Sequence, residues 1–178
     1  MKTFIALLRG INVSGQKKIK MADLKVSLEK IGLQNVTTYI QSGNVVFKSN
    51  VDKASALEEL IHTCILKNFG FEVPILVITS DVVQKVLEAN PFKDETEENC
   101  LYFVLLKQPP QQELVYKLNE QDFPNEDFHI VPNCVYLCCR KGYGNAKLNN
   151  NLIEHKLKVQ ATTRNLKTMK KLLDMASN

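Results

Sequence analysis

The chain has 178 residues, of which 44% are hydrophobic and 24% charged, with a formal net charge of +4. That supplies a core for one ordinary domain or two small ones. No apolar run reaches the roughly 18 residues of a membrane span, and Arg9 interrupts the opening Met1 to Leu8 before a secretory leader develops, so a soluble cytoplasmic protein is expected.

Thr3 to Leu8 is a short apolar run, too short for a helix, and is predicted as a first strand. Arg9 to Lys20 carries two glycines, Asn12, Ser14 and three lysines with few core residues, the composition of a long functional loop. Met21, Leu24, Leu28 and Ile31 recur at helical spacing, with Asp23 in the first turn and Gly32 beyond the end. Thr38 to Phe47 then reads as a hairpin. Tyr39 and Ile40 end one strand, Val45 to Phe47 begin the next, and Gly43 supplies the turn position that needs a positive φ. Ser55 to Glu58 has capping-box spacing and opens a helix that turns Leu57, Leu60, Ile61, Cys64 and Ile65 inward and stops at Gly70. Val73 to Thr79 is a fourth strand. Strand, helix, two strands, helix, strand is the ferredoxin-like order, and it accounts for residues 1–79.

Ser80-Asp81 caps a short helix, and Asn90-Pro91 ends it. The acidic stretch Asp94 to Glu98 reads as a junction or a solvated loop. Leu101 to Leu106 is a strongly apolar strand, Glu113 to Asn119 a short helix, and Phe128 to Val131 with Val135 to Cys139 a second hairpin about Pro132-Asn133. The expected class is therefore α+β: a ferredoxin-like βαββαβ first half, then a degenerate ferredoxin-like second half over 80–178. In that second half, a helix containing His155 and a C-terminal helix stand where the last helix and strand would be. The two halves are expected to pack as one compact unit. The final helix is predicted to start at an N-cap of Thr162 or Thr163, which puts Arg164 and Lys167 in its first turn.

Leu8-Arg9-Gly10-Ile11-Asn12-Val13, Thr38-Tyr39-Ile40-Gln41-Ser42-Gly43-Asn44 and Thr162-Thr163-Arg164-Asn165 together resemble the bacterial domain of unknown function 1697 family, along nearly the whole chain. Leu166 stands where that family usually has Trp, and Ser14 where it usually has Gly. The resemblance implies a fold and no established activity. It also suggests Lys147, within Lys147 to Asn150, as a ligand candidate.

Charge is segregated. Residues 1–20 hold five basic groups and no acid, residues 138–178 nine basic and two acidic, and the centre is net acidic. Were the ends to meet, they would make a surface suited to phosphates. Gln41, Ser42 and Asn44 add amide and hydroxyl groups beyond what a turn requires. Arg140 to Asn151, with two glycines before a helix, has the makings of an anion loop but not the spacing of a P-loop.

The candidate ligand set is thus Arg9, Asn12, Lys18, Gln41, Ser42, Asn44, Lys147, Thr163, Arg164 and Asn165. Its expected occupant is a phosphorylated or anionic small molecule such as a nucleotide. An enzyme acting on a nucleotide-like metabolite and a protein-interaction or oligomerisation module are the alternatives. No catalytic base stands out among His62, His129 and His155, and Ser42 lacks the setting of a nucleophile elbow. Nucleic acid would be held only through phosphate, since the strands lack the stacking aromatics of an RNA-recognition motif. The five cysteines form no Cys-x-x-Cys pair and have no histidine at zinc spacing, so they read as reduced and structural, with no metal expected, and the sequence leaves the cofactor unknown.

Overall fold

The computed structural model describes residues 1–13, 15–95 and 97–177. Ser14, one of the two departures from the family pattern, and Thr96 of the acidic stretch lie outside the described residues. The chain forms two compact units, one of residues 1–85 with 171–178 and the other of residues 86–170.

The first unit runs β1 (Lys2–Leu8), α1 (Met21–Lys30), β2 (Gln34–Tyr39), β3 (Asn44–Ser49), α2 (Ala54–Phe69) and β4 (Ile75–Ile78). Its antiparallel sheet has the order β2-β3-β1-β4, the ferredoxin-like arrangement. Alternation along β1 turns Phe4, Ala6 and Leu8 toward Leu24 and Leu28 of α1 and Leu57, Ile61 and Ile65 of α2, with Val45 and Phe47 of β3 beside them. A fully buried leucine or isoleucine contributes about 2 kcal/mol relative to exposure, so this cluster carries most of the unit's stability. Ser55 to Glu58 is not a capping box: the helix begins at Ala54, its N-cap Lys53 makes no side-chain bond, and Glu58 Oε1 instead accepts from Val77 N at 3.0 Å. The carboxylate pins β4 to the helix.

α3 (Ser80–Glu88) follows, and the second unit repeats the order in full: β5 (Leu101–Leu106), α4 (Gln112–Asn119), β6 (Glu126–Val131), β7 (Cys134–Cys139), α5 (Asn150–Leu157) and β8 (Ala161–Asn165). Its sheet order, β6-β7-β5-β8, matches the first position for position. The core on its helix side joins Val104, Leu106, Val135 and Leu137 to Val115, Leu118, Ile153 and Leu157.

The second half is therefore not degenerate. The helix containing His155 is the fifth element of the repeat, and Thr162 to Asn165 form its last strand, with Thr162 opposite Leu105 and Arg164 opposite Phe103. The final helix, α6 (Leu166–Ser177), starts after Arg164 and is capped by Asn165, whose Oδ1 accepts from Thr168 N at 2.9 Å. Two β-branched threonines before an asparagine fit a strand that ends in a cap as well as they fit a cap alone. Pairing with β5 decides for the strand. Among the described residues no helix is long and apolar enough to cross a membrane.

Candidate functional site

In the first unit the two polar segments meet. β2 ends at Tyr39, and Ile40 to Gly43 turn the chain into β3 beside the loop that leaves β1. Asn12 ties the two: its Nδ2 donates to Gln41 O and to Ile19 O, both at 2.9 Å, and its Oδ1 accepts from Ile19 N at 2.8 Å. One side chain thus closes the 9–20 loop on itself and fastens it to the turn.

Gly43 completes the join. It has φ +76°, its carbonyl accepts from Leu8 N at 2.8 Å, and a Cβ there would lie 2.7 Å from Leu8 Cβ and 2.8 Å from Leu8 O. The backbones approach too closely for any other residue.

The turn is strained. Ile40, read from sequence as the end of a strand, has φ +49° and is 52% exposed; a β-branched residue in the left-handed region is a true outlier, and such strain gathers at functional sites. Asn12 (φ 55°) and Lys17 (φ 44°) share the same backbone region.

Asn44 is fully buried, and its Nδ2 donates to Tyr39 O at 3.2 Å and Ser42 Oγ at 3.0 Å. Asn12 and Asn44 therefore shape the site by holding its backbone. Gln41 and Lys18 are exposed, and Arg9 and Ser42 are half-buried.

The other four candidates lie in the second unit. Lys147 is exposed, but its backbone N–H and that of Leu148 both donate to the Glu126 carboxylate, at 2.7 and 2.6 Å. The backbone N–H groups that meet an anion in this loop are those of Lys147 and Leu148 rather than of the glycines, and the anion is the protein's own carboxylate. Thr163 belongs to a closed ring of hydrogen bonds. Tyr143 OH donates to Thr163 Oγ1 (3.1 Å), Thr163 Oγ1 to Asn150 Oδ1 (2.8 Å), and Asn150 N to Tyr143 OH (2.9 Å).

Arg164 is not on a helical turn but in a strand, only 9% exposed, donating to Thr162 Oγ1 at 3.0 Å and Thr163 O at 2.8 Å. Burial lowers its guanidinium to about 10, because a charge leaving water loses hydration. Asn165 caps α6.

Of the histidines, His62 faces the Glu72 carboxylate, His129 stacks on Tyr136, and His155 is exposed. Sequence reading overlooked Glu126, whose partners are backbone groups about twenty residues away, and the clasp role of Asn12, although the polar character of both loop and turn was plain.

No curated protein matches the chain. In shape it is similar to the conserved bacterial protein SP0830 from Streptococcus pneumoniae, with TM-score 0.79 and 23% identity over 100% of this chain and 99% of that one, which supports the two-half ferredoxin-like fold. The family model described as a protein of unknown function, DUF1697, matches residues 1–136, a span that contains both the Asn12 loop and the Gln41 to Asn44 turn. The chain belongs to the DUF1697 family.

Proposed function

We propose that this protein acts in the cytoplasm as a binder of a phosphorylated or otherwise anionic small molecule, at the end of the first unit where the 9–20 loop meets the Gln41 to Asn44 turn. The observation that carries the reading is the Asn12 clasp. It holds a strained, glycine-dependent turn against a loop bearing Arg9, Lys17, Lys18 and Lys20 without a single acid. Such fixing exceeds what a surface turn needs, and pre-organised amide groups beside a cation-rich loop favour an anion. Lys18 and Arg9 supply charge, Gln41 and Ser42 orientation. Arg164 and Thr163, held within their own strand, are expected to act on stability more than on ligand.

A thermal-shift screen with inorganic phosphate, sulfate, nucleotides, sugar phosphates and short single-stranded RNA at low and high salt tests this, because a ligand that binds only the folded state raises the midpoint by mass action. The expected result is a selective small-molecule shift that falls in Lys18→Ala and Gln41→Ala while the ligand-free midpoint stays unchanged. Equal shifts in both variants would overturn the assignment. A shift seen only with RNA and lost in salt would do so too, since it would report nonspecific electrostatics.

A further inference from the structure

The second unit holds a second cluster, unrelated to the anion reading. Cys100 closes the short 3-10 turn Glu98–Cys100 that leads into β5, and Leu101, the next residue, is registered against Cys138 of β7. The two thiols are thereby diagonal neighbours, with Sγ to Sγ 3.0 Å. Cys138 Sγ lies 3.7 Å from Glu95 Oε2, and one ligand atom from each of Glu95, Cys100 and Cys138 falls within 4.8 Å of the others.

We propose that Cys100, Cys138 and Glu95 bind a thiophilic divalent cation of the zinc class, with the fourth coordination position open to solvent. The donor set is two soft sulfurs and one carboxylate, a three-ligand pattern typical of zinc sites that keep one exchangeable position. Two sulfurs on a tetrahedral zinc stand roughly 3.7 Å apart, given bonds of about 2.3 Å, so the thiols need to spread by only about 0.7 Å.

Both cysteines are buried, whereas the Glu95 side chain is 22% exposed. A cleft lined by Leu87, Asn90, Lys93, Glu95, Glu98 and Leu101 gives the ion its way in from that side.

Charge balances. In the metal-free protein two neutral thiols sit beside a Glu95 carboxylate paired to Arg140 Nη1 at 3.0 Å. When the dication binds, each thiol releases one proton to solvent, the two thiolates offset the two charges of the ion, and the cluster's total is unchanged. Arg140, which also bonds Asp127, stays on Glu95 and orients it as an outer partner of the site. A disulfide between the same sulfurs would need an oxidant and would give the adjacent carboxylate no role. Packing as two small hydrophobes would not bring a carboxylate onto them either.

The probe is Co2+ added to the full-length reduced protein in a thiol-free reductant. The expected result is one equivalent bound, with sulfur-to-cobalt charge-transfer absorption displaced by Zn2+. The absorption is expected to vanish in Cys100→Ser and Cys138→Ser, to persist in Cys64→Ser, and to require about tenfold more cobalt in Glu95→Gln. Circular dichroism reports whether the buried serine variants fold. Where they do not, Glu95→Gln, at a partly exposed side chain, carries the test. The proposal is overturned by no charge-transfer band, by unchanged cobalt affinity in Glu95→Gln, or by peptide mapping that finds Cys100 and Cys138 joined in a protein that binds no cobalt.

Discussion

The two units use one strand order and one sheet order, yet they elaborate opposite ends of it. In the first, the long connection is the loop between β1 and α1, residues 9–20, beside the turn between β2 and β3; the link from β3 to α2 is short. In the second, the link from β5 to α4 is short, and the long connection is that between β7 and α5, residues 140–149. Their backbones differ as well. Among the described residues, the first unit holds Asn12, Lys17 and Ile40 in the left-handed region at its elaborated end, plus Asn35 in β2, while the only such non-glycine residue of the second is Lys158, the C-cap of α5. The second unit's long loop relaxes around an internal acceptor, Glu126, whereas the first unit's is held in a costly conformation by Asn12 and Gly43. A loop that satisfies itself has no need of a ligand. Under the proposed function, one that stores strain is held for its ligand.

The sharpest way to break this contrast is Gly43→Ala. The new Cβ would overlap Leu8 backbone and side chain in a left-handed residue, and the combined overpacking and conformational penalty is roughly 3 kcal/mol. Gly10→Ala is the companion: φ is +75° but nothing lies within 4 Å, so only the conformational term of about 1 kcal/mol remains. Urea denaturation of both variants measures the difference, and equal losses would mean that the close approach to Leu8 is unimportant. Asn12→Ala comes next. It leaves Gln41 O, Ile19 O and Ile19 N without their side-chain partner, at a cost of about 2 kcal/mol. Hydrogen exchange at the Ile19 amide should accelerate along with the loss of stability.

Much of the frame was legible in the sequence. The spacing of Met21, Leu24 and Leu28, and of Leu57, Ile61 and Ile65, is that of two helices packed on a sheet, and these residues are buried as expected. Gly32 and Gly70 mark both helix ends, and Pro132-Asn133 the second hairpin. The reading failed where local chemistry served two structures equally. Thr162-Thr163 is a good cap and a good strand, and only pairing with β5 separates them. The same limit applied to Ser55 to Glu58, where the glutamate found a partner in β4 rather than in its own helix. Contacts set by topology had no local signature at all: Cys100 and Cys138 are 38 residues apart and meet because β5 lies beside β7. The site was half legible. The amides of the loop and turn advertised themselves, but that Asn12 and Asn44 would face backbone while Gln41 and Lys18 face outward depended on the turn geometry.

On the second unit's side of the comparison, Glu126→Gln replaces a carboxylate that receives two backbone N–H groups with an amide that offers one acceptor oxygen. The expected loss is about 1 kcal/mol, with faster exchange at Lys147 or Leu148. If this loop were a ligand site blocked by its own acid, inorganic phosphate would restore the lost stability of the variant. We expect no rescue, because Tyr143, Asn150 and Thr163 close the rest of the loop on themselves.

The smallest effect is the most informative. Ile40 is half exposed and contributes little burial, so Ile40→Asn exchanges a residue that resists the left-handed region for one that tolerates it. Stability should rise by about 0.5 kcal/mol. If the strain serves only to join two strands, every other property should stay the same. If the turn is held for an anion, the asparagine variant relaxes toward alternative turn geometries, Gln41 and Ser42 lose their fixed orientation, and the ligand-dependent thermal shift shrinks even as the ligand-free midpoint climbs. A substitution that stabilises the fold and weakens binding at once separates a shaped site from a merely awkward turn, a distinction that no destabilising variant can draw.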